Sequence, residues 1–136
     1  MTPAEPADLV PFRTLAHGDY SALDRSGLLM ARAEAEWNEL WSFLESGHSE
    51  PRAVPPVGWP SELAMVLALG MRPGGGYRVH IDRVTEQDGT LTVHAREIRP
   101  AATEFVTDAL TQPFIAIATP ACPGTVEHHI TVAERG

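Results

Sequence analysis

The stretch Tyr77-Arg78-Val79-His80-Ile81-Asp82-Arg83-Val84-Thr85-Glu86-Gln87-Asp88-Gly89-Thr90-Leu91-Thr92-Val93-His94-Ala95-Arg96 decides the fold. Tyr77, Val79 and Ile81 alternate with Arg78, His80 and Asp82, and Leu91, Val93 and Ala95 alternate with Thr92, His94 and Arg96. A period of two is that of a strand with one buried face, so the stretch reads as a hairpin. Its register depends on the turn. A two-residue Asp88-Gly89 turn pairs Val84 with Val93 and Ile81 with Arg96, which mixes apolar and charged side chains on one face. A three-residue Gln87-Asp88-Gly89 loop pairs Ile81 with Ala95, Arg83 with Val93 and Thr85 with Leu91, and keeps the apolar set together. The three-residue register is therefore expected, with Gly89 in the left-handed position of the accompanying bulge.

Working outward, Glu62 to Leu69 (ELAMVLAL) is an almost unbroken apolar run between Pro60 and Gly70. It is too short for a typical helix and predicts a central strand buried on both faces. Upstream, Ala31 to Leu44 is rich in Ala, Glu and Leu, and Trp37, Leu40, Trp41 and Leu44 recur at helical spacing. These residues predict one amphipathic helix whose tryptophan stripe packs on a sheet, with Gly47 as its stop. Pro51, Pro55, Pro56 and Pro60 make the following segment an extended crossover. Further strands are expected at Pro113 to Thr119 and Thr125 to Val132, and at Phe12 to Ala16 and Gly27 to Arg32. The fold class is α+β: a mostly antiparallel β-sheet, curled toward a barrel or a sandwich, with one main helix packed on it. The 136 residues make a single domain, with residues 1–11 as a flexible N-terminus.

Composition narrows the function classes. Apolar residues make up 43% and charged residues 21%, as in an ordinary globular domain. The net charge of -8 disfavours a nucleic-acid partner, and the longest apolar run is far short of a bilayer span. All ten basic residues are Arg, which excludes lysine chemistry. A single cysteine, Cys122, excludes an internal disulfide and reads as a turn or buried thiol. The opening MTPAEPADLVP has neither a basic n-region nor an apolar h-region, so the expectation is a cytoplasmic protein.

Two candidate sites emerge. The hairpin register sets His80 opposite Arg96 and Asp82 opposite His94, so His80, Asp82 and His94 are the residues a metal-dependent or acid/base enzyme would use. Alternating polar residues on an open sheet face also serve solubility alone, and that reading is preferred; neither a catalytic residue nor a metal ligand nor a cofactor is assigned. His128 and His129, adjacent on a strand, point to opposite faces and cannot chelate one ion together. The second candidate is Gly70-Met71-Arg72-Pro73-Gly74-Gly75-Gly76-Tyr77. Consecutive glycines cost conformational entropy, about 0.5–1 kcal/mol each. No Lys-Ser/Thr follows them and Tyr77 opens a strand, so phosphate binding is not indicated. The loop is either a tight turn or a surface for a protein partner, carried by Arg72, Gly74, Gly75, Gly76 and Tyr77.

At these residues the sequence resembles the C-terminal domain of the PrcB family of protease-complex subunits. The likeness is carried by Gly70, Gly75, Gly76, Tyr77, Val79, Ile81, Gly89, Leu91, Val93, Glu97, Pro100, Thr111, Pro113 and Phe114. Trp37 and Trp41 are similar to the family's Trp-containing helix, so the resemblance runs from about Trp37 to Thr119. Gly74 stands where the family has Thr, and many members are exported or lipid-anchored. The resemblance implies a non-enzymatic role: association with, and stabilisation of, a protease or another protein partner. An inhibitor-like insertion of the glycine loop into a protease cleft is the alternative. No oligomeric state follows from either.

Overall fold

The computed structural model describes every residue except 1–6, 103, 107, 135 and 136. Eight strands, β1 (Asp8–Val10), β2 (Arg13–Gly18), β3 (Ser26–Ala31), β4 (Glu62–Leu69), β5 (Arg78–Gln87), β6 (Thr90–Arg99), β7 (Phe114–Pro120) and β8 (Val126–Glu134), accompany one helix, α1 (Glu34–Leu44). The strands form two four-stranded sheets, ordered β1-β5-β6-β8 and β2-β7-β4-β3. All pairings are antiparallel except β6 with β8. The class is α+β and mostly sheet, and neither sheet closes into a barrel.

The two-sided burial of β4 sets the layers. Its odd residues Leu63, Met65, Leu67 and Leu69 join Ile115 and Ile117 of β7 and Val79, Ile81, Val84, Leu91, Val93 and Ala95 of the hairpin in the core between the sheets. Its even residues Ala64, Val66 and Ala68 join Ala116 and Phe114 against Trp37, Trp41 and Leu44 of α1. Small side chains on that face leave room for two indoles, as close packing requires. Each indole also donates outward: Trp37 Nε1 to the carbonyl of Pro55 at 3.0 Å and Trp41 Nε1 to that of Arg52 at 2.9 Å. The proline-rich crossover is thereby fastened along the helix. Its Arg52 guanidinium pairs at 2.7 Å with the buried Glu45 at the helix end and lies over the rings of Trp41 and Phe114.

Several expectations are corrected. The hairpin turns on two residues, not three: Gln87 pairs with Thr90, and Asp88 and Gly89 both take positive φ, 53° and 80°. Val84 therefore does face Val93. One-sided burial survives because a bulge at Asp82 inserts an extra residue between Ile81↔Ala95 and Arg83↔His94, which moves Ile81 back to the core parity. The helix begins at Glu34 and not at Ala31, because Ala31 is fully buried and paired with Ala64 at the end of β3. Asp8–Val10, in the stretch expected to be flexible, pairs with Val84–Glu86 as β1; residues 1–6 of that stretch lie outside the described residues.

The helix layer makes a direct prediction. Replacing Trp37 with Ala should cost about 3–5 kcal/mol, and Ala68→Leu, which crowds the same face, about 1–3 kcal/mol. Urea unfolding measures both, and losses below about 0.5 kcal/mol in the two variants would show that the indoles do not pack as described.

Candidate functional site

The glycine loop leaves β4 at Gly70, whose φ of 81° suits glycine. A Cβ there would stand 2.8 Å from the backbone nitrogen of Ser26. Arg72 then pairs with Thr111 in an isolated antiparallel bridge: the Arg72 N–H donates to the Thr111 carbonyl at 2.8 Å, and the Thr111 N–H to the Arg72 carbonyl at 3.0 Å. The buried Thr111 hydroxyl donates to the carbonyl of Gly74 at 2.9 Å. Gly76, with φ 89°, lies so close to Pro100 and Val106 that a Cβ would meet each at 2.9 Å.

Below the loop sits a carboxylate. Residues 91, 93 and 95 of β6 point into the core, and by the same alternation so does Glu97, which is only 3% exposed. Arg72 Nη2 donates to its Oε1 and Arg99 Nε to its Oε2, both at 2.5 Å. Arg72 Nη1 donates in turn to the Met71 carbonyl at 2.9 Å. Burial, the largest influence, pushes the Glu97 carboxyl up; the hydrogen bonds and charges of Arg72 and Arg99 together outweigh it and hold the group below the ordinary carboxylate value. A charge-assisted clamp of this kind is among the stronger hydrogen-bonded arrangements.

The residues expected from the sequence divide accordingly. Arg72, Gly74, Gly75, Gly76 and Tyr77 do come together, but Gly74 is buried, Tyr77 packs against the intersheet core and the Arg72 guanidinium is committed to Glu97. What the loop shows to solvent is its apolar surround. Met71 is exposed beside the bridge and Leu110 beside Thr111, and exposed Val106 lies against Gly76, with exposed Phe105 before it in the chain. Glycine spacing does not mark Glu97, Arg99, Thr111 or this rim as site residues. Glu97 carried a readable signal, a carboxylate at the core parity of an amphipathic strand.

The histidine constellation does not assemble as expected. His80 is opposite Arg96, but the bulge puts Arg83, not Asp82, opposite His94. Asp82 accepts from Arg96 at 2.8 Å and lies 3.6 Å from His80, whereas His94 bonds Thr85 at 2.9 Å and stacks on His129 with ring centroids 6.0 Å apart. Desolvation by burial, then the charges of Arg83 and His129, lower the His94 pKa, which favours a neutral ring. Among the described residues no group of three or more His, Cys, Asp or Glu is placed to hold a metal ion. Cys122 is buried.

Glu97→Gln should destabilise the domain by about 3–5 kcal/mol, because it leaves Arg72 without its counter-charge in a largely buried place. Thr111→Val, which removes the hydroxyl bonded to Gly74, should cost about 1–3 kcal/mol. Chemical denaturation reads both, and a neutral Glu97→Gln would show that the clamp does not hold the loop.

Residues 63–120 match the family described as PrcB C-terminal. No curated protein and no solved structure matches the chain. The matched span is a little under half of the chain, runs from β4 to the end of β7 and leaves Trp37 and Trp41 outside it. Gly70, Gly76, Glu97, Pro100 and Thr111, which carry the resemblance, are the residues that shape and latch the glycine loop. The stretch that builds the loop and its clamp is thus the part of the chain that is similar to the PrcB C-terminal family.

Proposed function

We propose that the chain is a non-enzymatic protein-interaction module that binds or stabilises a protease or another protein partner, through the surface around the glycine loop. The observation that carries this reading is the apolar rim. Met71, Phe105, Val106 and Leu110 are exposed around a loop that the Arg72–Glu97–Arg99 clamp and the Thr111 bond hold in one shape. Exposed apolar side chains on a backbone held by hydrogen bonds are what association uses, since little ordering entropy is lost on contact. The PrcB C-terminal match supports a protease-complex setting. Insertion of the loop into a protease cleft is less well supported, because Gly74 is buried and bonded inward.

A photo-crosslinking side chain placed at Leu110 in the source cells tests this. The expected product is a crosslink to a subunit of a protease complex, lost when Met71 is changed to Asp, and absent when the probe is moved to exposed Phe43 on the helix. Equal crosslinking from Leu110 and Phe43, or none from Leu110, contradicts the reading.

A further inference from the structure

β8 closes its sheet on one side. It pairs with β6 in parallel from Leu91↔Val126 to Arg99↔Glu134, and among the described residues no strand lies on its other side. Alternate backbone N–H and C=O groups along it therefore point outward with no ladder to join, and the strand has neither a proline nor a bulge to close the edge.

This edge stands clear of the facing sheet. Val126, His128, Ile130 and Val132 lie beside Leu91, Val93, Ala95 and Glu97 of β6, all of which are buried at the intersheet parity. Yet His128 is exposed and Val132 is 58% exposed, so the facing sheet stops short of this strand. Its last strand on this side is β3: Arg32, just past the end of β3, donates to the carbonyls of Cys122 and Gly124 ahead of β8. A molecule approaching from this side meets β8 before β3.

The sequence of β8 selects the occupant, because part of it is its own complement. A two-fold axis perpendicular to the sheet lays β8 antiparallel against β8 of a second copy, and side chains keep their faces only when the axis passes through a residue. With the axis at Thr131, Val132 meets Ile130, Glu134 meets His128 and Thr131 meets its own copy. Apolar with apolar, acid with imidazole and threonine with threonine are favourable antiparallel pairs. With the axis at Ile130, Glu134 meets Val126 and His128 meets Val132. With the axis at His128, only five strand residues pair and exposed Val132 has no strand residue opposite. His128 and Glu134 have no ion pair or side-chain hydrogen bond among the described residues, and Arg99, beside Glu134 on β6, is committed to Glu97.

We propose that β8 is a homodimer interface, in which two copies join edge to edge about an axis through Thr131 and their four-stranded sheets become one continuous sheet. Main-chain hydrogen bonds run across the axis, Val132 packs on Ile130 of the second copy, and His128 pairs with Glu134 twice. The interface uses none of the rim residues and does not rest on the proposed protease association, so either can fail alone.

The test is sedimentation of the full chain from micromolar to millimolar concentration, with amide hydrogen exchange on the same samples. A monomer–dimer equilibrium is expected, in which the outward amides between His128 and Glu134 gain protection as the dimer fills. His128→Glu, which sets acid against acid on both sides of the axis, should weaken association about fivefold. Adding Glu134→His exchanges the two partners and should restore it. Val132→Lys, at a side chain exposed in the monomer, should weaken association with no such rescue. A monomer at millimolar concentration, protection of a different edge, or a dimer indifferent to Val132→Lys would each overturn the proposal, as would a double variant that associates no better than His128→Glu alone.

Discussion

A carboxylate at the core parity of a strand has to be neutralised where it stands, and Glu97 sets that condition at the end of β6. Water cannot reach it, so cations must come from elsewhere in the chain. One is Arg99, two residues on; the other is Arg72, which the chain delivers only if it turns back sharply after β4. The glycines make that return possible. Gly70 takes a left-handed conformation against the backbone of Ser26, and Gly76 passes Pro100 and Val106 at a distance no side chain tolerates. The loop is expensive in entropy, and the ion cluster beneath it is what offsets the expense.

The rest of the molecule follows from β4 being buried on both faces. Its large odd residues fill the gap between the sheets, and its alanines accept the indoles of α1. A strand used in this way makes a three-layer arrangement with few degrees of freedom. It also explains the parallel pairing of β6 with β8, because the intervening chain must cross to the second sheet as β7 before it returns.

Much of this was legible in the residues. Alternation in β5 and β6, the unbroken run of β4, the tryptophan stripe and the prolines identify the main elements and their faces. Register was not, and the reason is physical: the two-residue turn and the bulge at Asp82 shift the strand in compensating ways, so Ile81 reaches Ala95 as expected by a different route. The same bulge separates the assignments of Asp82 and His94. Ala31 has good helix propensity, but a pairing with Ala64 in a buried ladder outweighs it. At the loop, glycine spacing marks the turn after β4 but not the burial of Gly74. Spacing says nothing about Arg72 meeting Glu97 across 25 positions, a contact that with the Thr111 bonds ties down a run of glycines.

The proposed association requires that the backbone carrying Met71 and Leu110 be held. The most direct measurement is an NMR pH titration of the Glu97 carboxyl carbon, with the amides of Arg72 and Thr111 followed in the same samples. A carboxyl held below its ordinary value contributes stability that is complete above that ordinary value and is lost as the pH falls through the folded one. Glu97 is therefore expected to titrate below the ordinary carboxylate range, with the Arg72 and Thr111 amides shifting in the same step. Titration at the ordinary value, with those amides unmoved, would contradict a loop latched by this carboxylate.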